Sequence, residues 1–156
     1  MERLATYDDV NLILRLYELR RDEKLRKARE WFMASCHART MQELQELCPQ
    51  GSEENAYLRM VISYWDMAAS FVTSGVLNEE LFFQSGGELL FVWERIRDTV
   101  PEMRTTFKNP YNLKNMEEVA ASFIKWQNER APEWYQGFRE MVRAGANPAQ
   151  QKTTAG

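Results

Sequence analysis

The side chains best suited to chemistry lie in one long apolar segment near the middle of the chain. Between residues 56 and 72, thirteen of the seventeen residues are apolar, and the exceptions are Arg59, Ser63, Asp66 and Ser70. Their spacing of four, three and four would align them as one narrow polar stripe on a helix. In such a stripe Arg59 could hold an anionic group, and Asp66 an amine or a hydroxyl.

The polar stripe has two possible interpretations. In the first, Arg59, Ser63 and Asp66 contact a small anionic or amphipathic ligand, and Tyr64 and Trp65 form the walls of the site. In the second, the stripe is only the solvent-facing edge of a mostly buried helix. Arg59 and Asp66 would lie roughly 10 Å apart along the helix axis, too far for a direct ion pair. Each therefore needs another partner.

Metal binding and covalent catalysis have few residues to draw on. The soft ligands are Cys36, His37 and Cys48, whereas a structural zinc site needs four ligands with paired spacings. Cys36 and His37 are adjacent, so on a helix their side chains would point about 100° apart. The chain also lacks a nucleophile elbow, a phosphate-binding loop and a dinucleotide motif. We therefore expect no cofactor, no metal and no catalytic residue, which favours a non-enzymatic protein.

The elements that position these residues are predicted to be helices. No run alternates with period two, and β-branched residues are scattered. A segment from about 52 to 74 that is apolar around most of its circumference predicts the central helix of a packed domain. The sequence thus predicts an all-α bundle of five to seven helices in residues 1–143. Residues 144–156 have little to bury and are predicted to form a disordered tail.

Helix boundaries are indicated by residues with capping chemistry. Asp8 or Asp9 would cap a first helix, and further caps are predicted at Asp22, Thr40, Ser52, Asn78 and Asn115. Whether residues before and after Asp22 form two helices or one stays open. Gly75 predicts a helix end, the pair Gly86 and Gly87 a kink or a split, and Pro101 the end of that run.

The first helix carries Val10, Ile13, Leu14 and Tyr17 at spacings of three, one and three. These four residues share one side of the predicted helix.

Charge excludes one class of partner. The net charge of −3 and the pI near 5.4 argue against a dedicated nucleic-acid binder. One basic stretch, residues 20–29, contains six Lys and Arg against Asp22 and Glu23. It is either a solvated face or a site for phosphate or lipid headgroups.

The chain begins without the apolar core of a secretion signal, which favours the cytoplasm. Cys36 and Cys48 are predicted to be free thiols, as expected in a reducing compartment. Arg59 and Asp66 inside the central segment would each cost roughly 2.5 to 3.5 kcal/mol at the centre of a bilayer, so no transmembrane segment is expected.

Aromatic residues suggest a surface for a partner. The chain has eight Phe, six Tyr and five Trp, more than a compact bundle easily hides. The predicted interaction surface comprises Phe82, Phe83, Trp134, Tyr135 and Phe138. The alternative is that the late aromatics belong to the core. We predict a protein-protein interaction or regulatory module, with a homodimer or another protein as its partner.

A run of sequence letters carries a resemblance to a known family. The segment SYWDMAASFVTSGVLNEELFF, followed by GELLFVWERIR and VPEMR, resembles an uncharacterised family of small bacterial helical proteins, a domain of unknown function. The resemblance covers roughly residues 10–126 and includes Tyr64, Trp65, Phe71, Gly75, Glu79, Glu80 and Trp93. It implies a bacterial source and an all-helical fold. Some similar proteins carry an amino-terminal membrane anchor, which this sequence lacks.

Overall fold

The computed structural model describes residues 3–144, and these form an all-α protein. The predicted fold class is confirmed. The described residues contain nine helices, which are α1 (Tyr7–Leu19), α2 (Glu23–Ser35), α3 (Met41–Leu47), α4 (Glu53–Thr73), α5 (Glu79–Ser85), α6 (Gly87–Ile96), α7 (Val100–Thr106), α8 (Lys114–Arg130) and α9 (Trp134–Ala144). The predicted tail lies outside the described residues, apart from Ala144, which ends α9.

The described residues contain two more helices than the predicted maximum of seven, and the additional helix boundaries lie near Gly86 and Pro101. A Cβ atom on Gly86 would lie 2.8 Å from the Phe82 ring and carbonyl, and the chain divides there into α5 and α6. Pro101 does not simply end the preceding run. It lies in the first turn of α7, where a missing N–H costs no intrahelical hydrogen bond.

Most predicted caps are present. Asp22, Thr40, Ser52 and Asn78 each accept a hydrogen bond from a backbone N–H in the first turn of the helix that follows. Asp22 therefore separates α1 and α2 as two helices. Gly75 has a positive φ of 80°, which favours glycine after a helix end.

Two predicted caps are wrong. The first helix is capped by Thr6, and Asp9 in its first turn accepts a hydrogen bond from the Thr6 N–H in return. Asn115 lies within α8, which follows Leu113 in a left-handed conformation.

The core surrounds α4, as predicted. This helix packs on one side against α2 and on another against α8, with α6 also in contact, and α9 packs against α6 and α8. Seven α4 side chains are buried, namely Leu58, Val61, Tyr64, Trp65, Ala68, Ala69 and Val72. Because α2 and α8 cover much of its circumference, the polar residues of α4 are left at the remaining edges.

Candidate functional site

The polar stripe of α4 is engaged within the protein. Arg59 is exposed, and its Nε donates to Asn55 Oδ1 at 3.1 Å. Ser63 is also exposed, and its hydroxyl donates to the carbonyl of Arg59. Both side chains thus bond to their own helix at the solvent edge. Among the described residues, Arg59 and Ser63 form no hydrogen bond or ion pair with Glu88 or Glu94.

Asp66 has a structural partner on another helix. Its Oδ1 accepts a hydrogen bond from the backbone N–H of Met116, at 3.0 Å. Met116 is the third residue of α8, and the cap residue Leu113 has no side chain that can accept such a bond. Asp66 therefore satisfies a free N–H of α8 and places a negative charge at its positive end.

Tyr64 and Trp65 lie on a different side of α4, in the core. The Tyr64 hydroxyl donates to the carbonyl of Leu16 on α1, and burial raises the pKa of Tyr64 to about 12. Trp65 meets the Tyr64 ring edge-on at 5.0 Å, and the Arg20 guanidinium lies 5.2 Å from its ring centre. The two rings therefore connect α4 to α1 and Arg20.

The predicted aromatic surface divides between core and periphery. Phe82 and Phe83 are only 3% and 4% exposed, and Phe83 packs against Phe123 and Trp126. Neither Phe82 nor Phe83 therefore exposes a side chain that a partner could contact in this structure. Both belong to the core cluster and lie on α5, which ends just before Gly86.

The aromatics of α9 are half-buried. Trp134 and Phe138 stack at 4.9 Å and pack against the core, while the Tyr135 hydroxyl donates to Glu94. Arg97 also donates to Glu94, at 2.9 Å. These contacts attach α9 to α6.

A surface that the sequence analysis did not identify lies on α1. Tyr7, Val10, Leu14 and Tyr17 are 81%, 41%, 54% and 51% exposed. We call them the α1 row. Three of the four residues that the sequence placed on one side of this helix are thus exposed, whereas Leu16 is buried. The missed signal was the spacing of three, four and three from Tyr7 to Tyr17, which is a heptad seam.

The opposite side of α1 is firmly attached. Asp9 is buried and accepts two hydrogen bonds from Arg3, one from the backbone of Thr6 and one from the Asn78 N–H. Arg3 and these N–H groups hold the pKa of Asp9 well below its usual range. Ile13 and Leu16 pack towards the core. The α1 row is therefore presented on a fixed helix.

Charged side chains flank the α1 row. Asp8, Asn11, Arg15 and Glu18 line a shallow depression beside Leu14. No ion pair involves Asp8, Arg15 or Glu18 within residues 3–144. This flank has charge of both signs available for a partner.

A cluster of arginines follows α1. Arg29 donates to both oxygens of Glu88, at 2.8 and 2.7 Å, and Arg20 donates to one of them at 2.6 Å. Glu88, in the first turn of α6, is 8% exposed at its side chain. The carboxylate raises the pKa of Arg29. Two cations thus share one anion in a partly buried setting.

The thiols and the histidine are unsuited to nucleophilic chemistry. Cys36 and Cys48 are buried and free, and burial raises their pKa values to about 12 and about 11. Burial lowers the pKa of His37, whose Nε2 lies 3.3 Å from the Ala34 carbonyl oxygen. Thiols held in the protonated form are poor nucleophiles at neutral pH.

Within residues 3–144, no three His, Cys, Asp or Glu side chains lie where they could share a metal ion. No helix in the same part of the chain is long and apolar enough to cross a membrane.

Comparison with known proteins gives one match. The family model described as "Domain of unknown function (DUF4760)" matches residues 5–126. The matched region contains α1 to α7 and most of α8, whereas α9 follows it. Neither the curated proteins nor the solved structures gave a match.

Proposed function

We propose that this chain, which belongs to the DUF4760 family, a domain of unknown function, acts as a protein interaction module. In this proposal it pairs with a second copy of itself through α1. The observation that carries the proposal is the α1 row, four large side chains exposed at heptad spacing on one helix. Such a row is the seam by which one helix packs against another.

We propose that the two copies of the row pair in antiparallel orientation, which its spacing allows. With Val10 opposite Leu14 of the second copy, Tyr7 lies opposite Tyr17, so the same four positions contact each other in both directions. This is the self-complementary arrangement that a two-fold axis requires. The row therefore matches itself without any further partner.

The expected affinity is modest. A contact between two helices of thirteen residues is small compared with a standard interface of about 1,600 Å². We therefore expect a dimer that dissociates at micromolar concentration. An association this weak suits a reversible regulatory contact.

The ligand site beside the polar stripe stays a prediction. The described contacts of Arg59, Ser63 and Asp66 are made to Asn55, to the α4 backbone and to Met116. We found no observation that favours a ligand there over the pairing of α1.

Sedimentation equilibrium over a dilution series tests the pairing. Leu14→Glu should abolish the dimer, whereas Met141→Glu, an equally drastic change at an exposed position on α9, should not.

Two results would contradict the proposal. The first is a wild-type protein that stays monomeric at every concentration. The second is an equal loss of dimer in Leu14→Glu and Met141→Glu.

A further inference from the structure

The turn between α1 and α2 forms a concave surface lined almost entirely by cations. A depression of about 360 Å³ is bordered by Tyr17, Arg20, Arg21, Arg26 and Arg29. Four guanidinium groups here converge on one volume. Arginines in such numbers repel one another unless an anion lies among them.

The protein supplies only part of the required negative charge. Glu88 accepts hydrogen bonds from Arg20 and Arg29, which leaves this trio with a net positive charge. The two nearest acids on α2 are engaged elsewhere. Asp22 caps the helix by accepting from the Leu25 N–H, and Glu23 lies 3.6 Å from Lys27.

The inner arginines are held in place before any ligand arrives. Arg20 lies 5.2 Å from the Trp65 ring centre and 5.3 Å from that of Tyr17, and Arg29 also donates to the carbonyl of Arg20. Their side chains are 18% and 21% exposed. Because these rotamers are already fixed, the positive base of the depression is formed without a ligand.

The outer arginines are free to close on a ligand. Arg21 lies 5.6 Å from the Tyr17 ring centre, and neither Arg21 nor Arg26 forms an ion pair or a side-chain hydrogen bond in the described chain. Both are exposed. They are the groups whose full charge and donors are available.

We propose that this depression, the arginine pocket, binds a phosphoryl group. The planar fork of arginine matches phosphate oxygens in bidentate pairs, and a phosphate carries more charge than a carboxylate. Arg21 and Arg26 make the direct contacts, while Arg20 and Arg29, oriented by Glu88, form the positive base of the pocket. The phosphoryl group belongs either to a soluble phosphate compound or to a lipid headgroup.

Calorimetric titration with pyrophosphate at constant ionic strength tests the soluble source. We expect saturable binding by the wild-type chain and a loss of roughly tenfold or more in Arg21→Gln/Arg26→Gln. The matched control is Lys24→Gln/Lys125→Gln, which removes the same charge from exposed positions outside the pocket and should bind as wild type does.

Sedimentation with phosphatidylcholine vesicles, with and without phosphatidic acid, tests the lipid source. Binding that requires phosphatidic acid and is lost in Arg21→Gln/Arg26→Gln, but not in the control, supports the pocket with a lipid ligand. The proposal is overturned if neither probe binds, or if the control loses as much as the pocket variant. Circular dichroism of each variant checks that it is folded.

The arginine pocket lies within one chain, although Tyr17 belongs both to its border and to the α1 row. Leu14 does not line the pocket. The monomeric Leu14→Glu variant should therefore bind the favoured probe as the wild type does. If Leu14→Glu is monomeric but still binds the probe, the pocket is independent of pairing. The pairing proposal can then fail while the pocket proposal stands, and the reverse is also true.

Discussion

The two helices α4 and α1 differ in what their surface side chains contact. On α4, the polar side chains that suggested chemistry bond within the protein: Arg59 and Ser63 to their own helix, and Asp66 to α8. On α1, the side facing the core is bonded through Asp9, whereas the α1 row has no contact that removes it from water.

This difference indicates where a function is to be sought. A polar group whose hydrogen bonds are complete inside the protein has little left to offer a ligand. A row of large apolar side chains left in water gains free energy when a partner covers it. In this molecule the polar side chains of α4 are engaged within the protein, and we therefore propose the exposed apolar residues of α1 as the surface for a partner.

The largest expected change in the free energy of unfolding distinguishes a core aromatic residue from a residue of the α1 row. Phe83→Ala should lower the free energy of unfolding by about 3 to 5 kcal/mol, because it removes a ring packed between Phe123 and Trp126. Leu14→Ala, measured at a concentration where the protein is monomeric, should change it by less than about 0.5 kcal/mol. Urea denaturation measures both. Similar losses would show that Leu14 belongs to the core.

The attached side of α1 should show a pH dependence. The lowered pKa of Asp9 means that its ionised form stabilises the fold above its unfolded pKa of about 3.9, and that this contribution is lost as the pH falls through the folded pKa. Asp9→Ala should therefore lower the melting temperature at neutral pH, and the difference from wild type should shrink in acid.

The control for Asp9 is Asp8→Ala, one residue away and exposed. It should leave the melting temperature of the monomer nearly unchanged at neutral pH. If the two variants behave alike, the Asp9 network does not hold α1 in place.

A smaller effect is expected for the polar stripe of α4. Asp66→Ala should lower the free energy of unfolding by about 1 kcal/mol, the usual cost of losing a helix cap. Ser63→Ala, in the same stripe, should fall within about 0.5 kcal/mol of wild type. Chemical denaturation of the two variants side by side tests this. If Asp66→Ala has the same free energy of unfolding as wild type, the bond to Met116 does not stabilise the fold, and Asp66 is only part of the solvent-facing edge of α4.

The last prediction concerns the reactivity of the two cysteines in the folded protein, which we expect to be small. Because burial keeps Cys36 and Cys48 protonated, a thiol reagent at neutral pH should react slowly with the folded protein and rapidly in denaturant. A fast phase in the folded state would show that one thiol reaches solvent.

Much of the fold could be predicted because it depends on local chemistry. The apolar circumference of residues 52–74 identified α4, and Asp22, Thr40, Ser52 and Asn78 marked helix starts through their own side chains. Family membership likewise agreed with the resemblance. The cap of α8 could not be predicted in this way, because Asp66 lies fifty residues away from Met116 in the chain.

The candidate surfaces were harder to predict for a related reason. Both sides of α1 are apolar, so the sequence pattern does not show which side meets the core. That choice depends on Asp9 bonding to Asn78 and Tyr64 bonding to Leu16, both contacts between distant segments. The convergence of Glu88 with Arg20 and Arg29 is equally invisible until α6 packs near α2.

Disulfide cross-linking along α1 tests the central claim most directly. In the antiparallel pair, position 10 lies opposite position 14 of the second copy, whereas two copies of position 10 are offset by about 6 Å along the helix axis. The native cysteines are buried and should not interfere. We predict that mixing Val10→Cys with Leu14→Cys gives a covalent heterodimer under mild oxidation, faster than either variant alone links to itself. Equal rates in all three samples, or a fast homodimer of Val10→Cys, would contradict antiparallel pairing through α1.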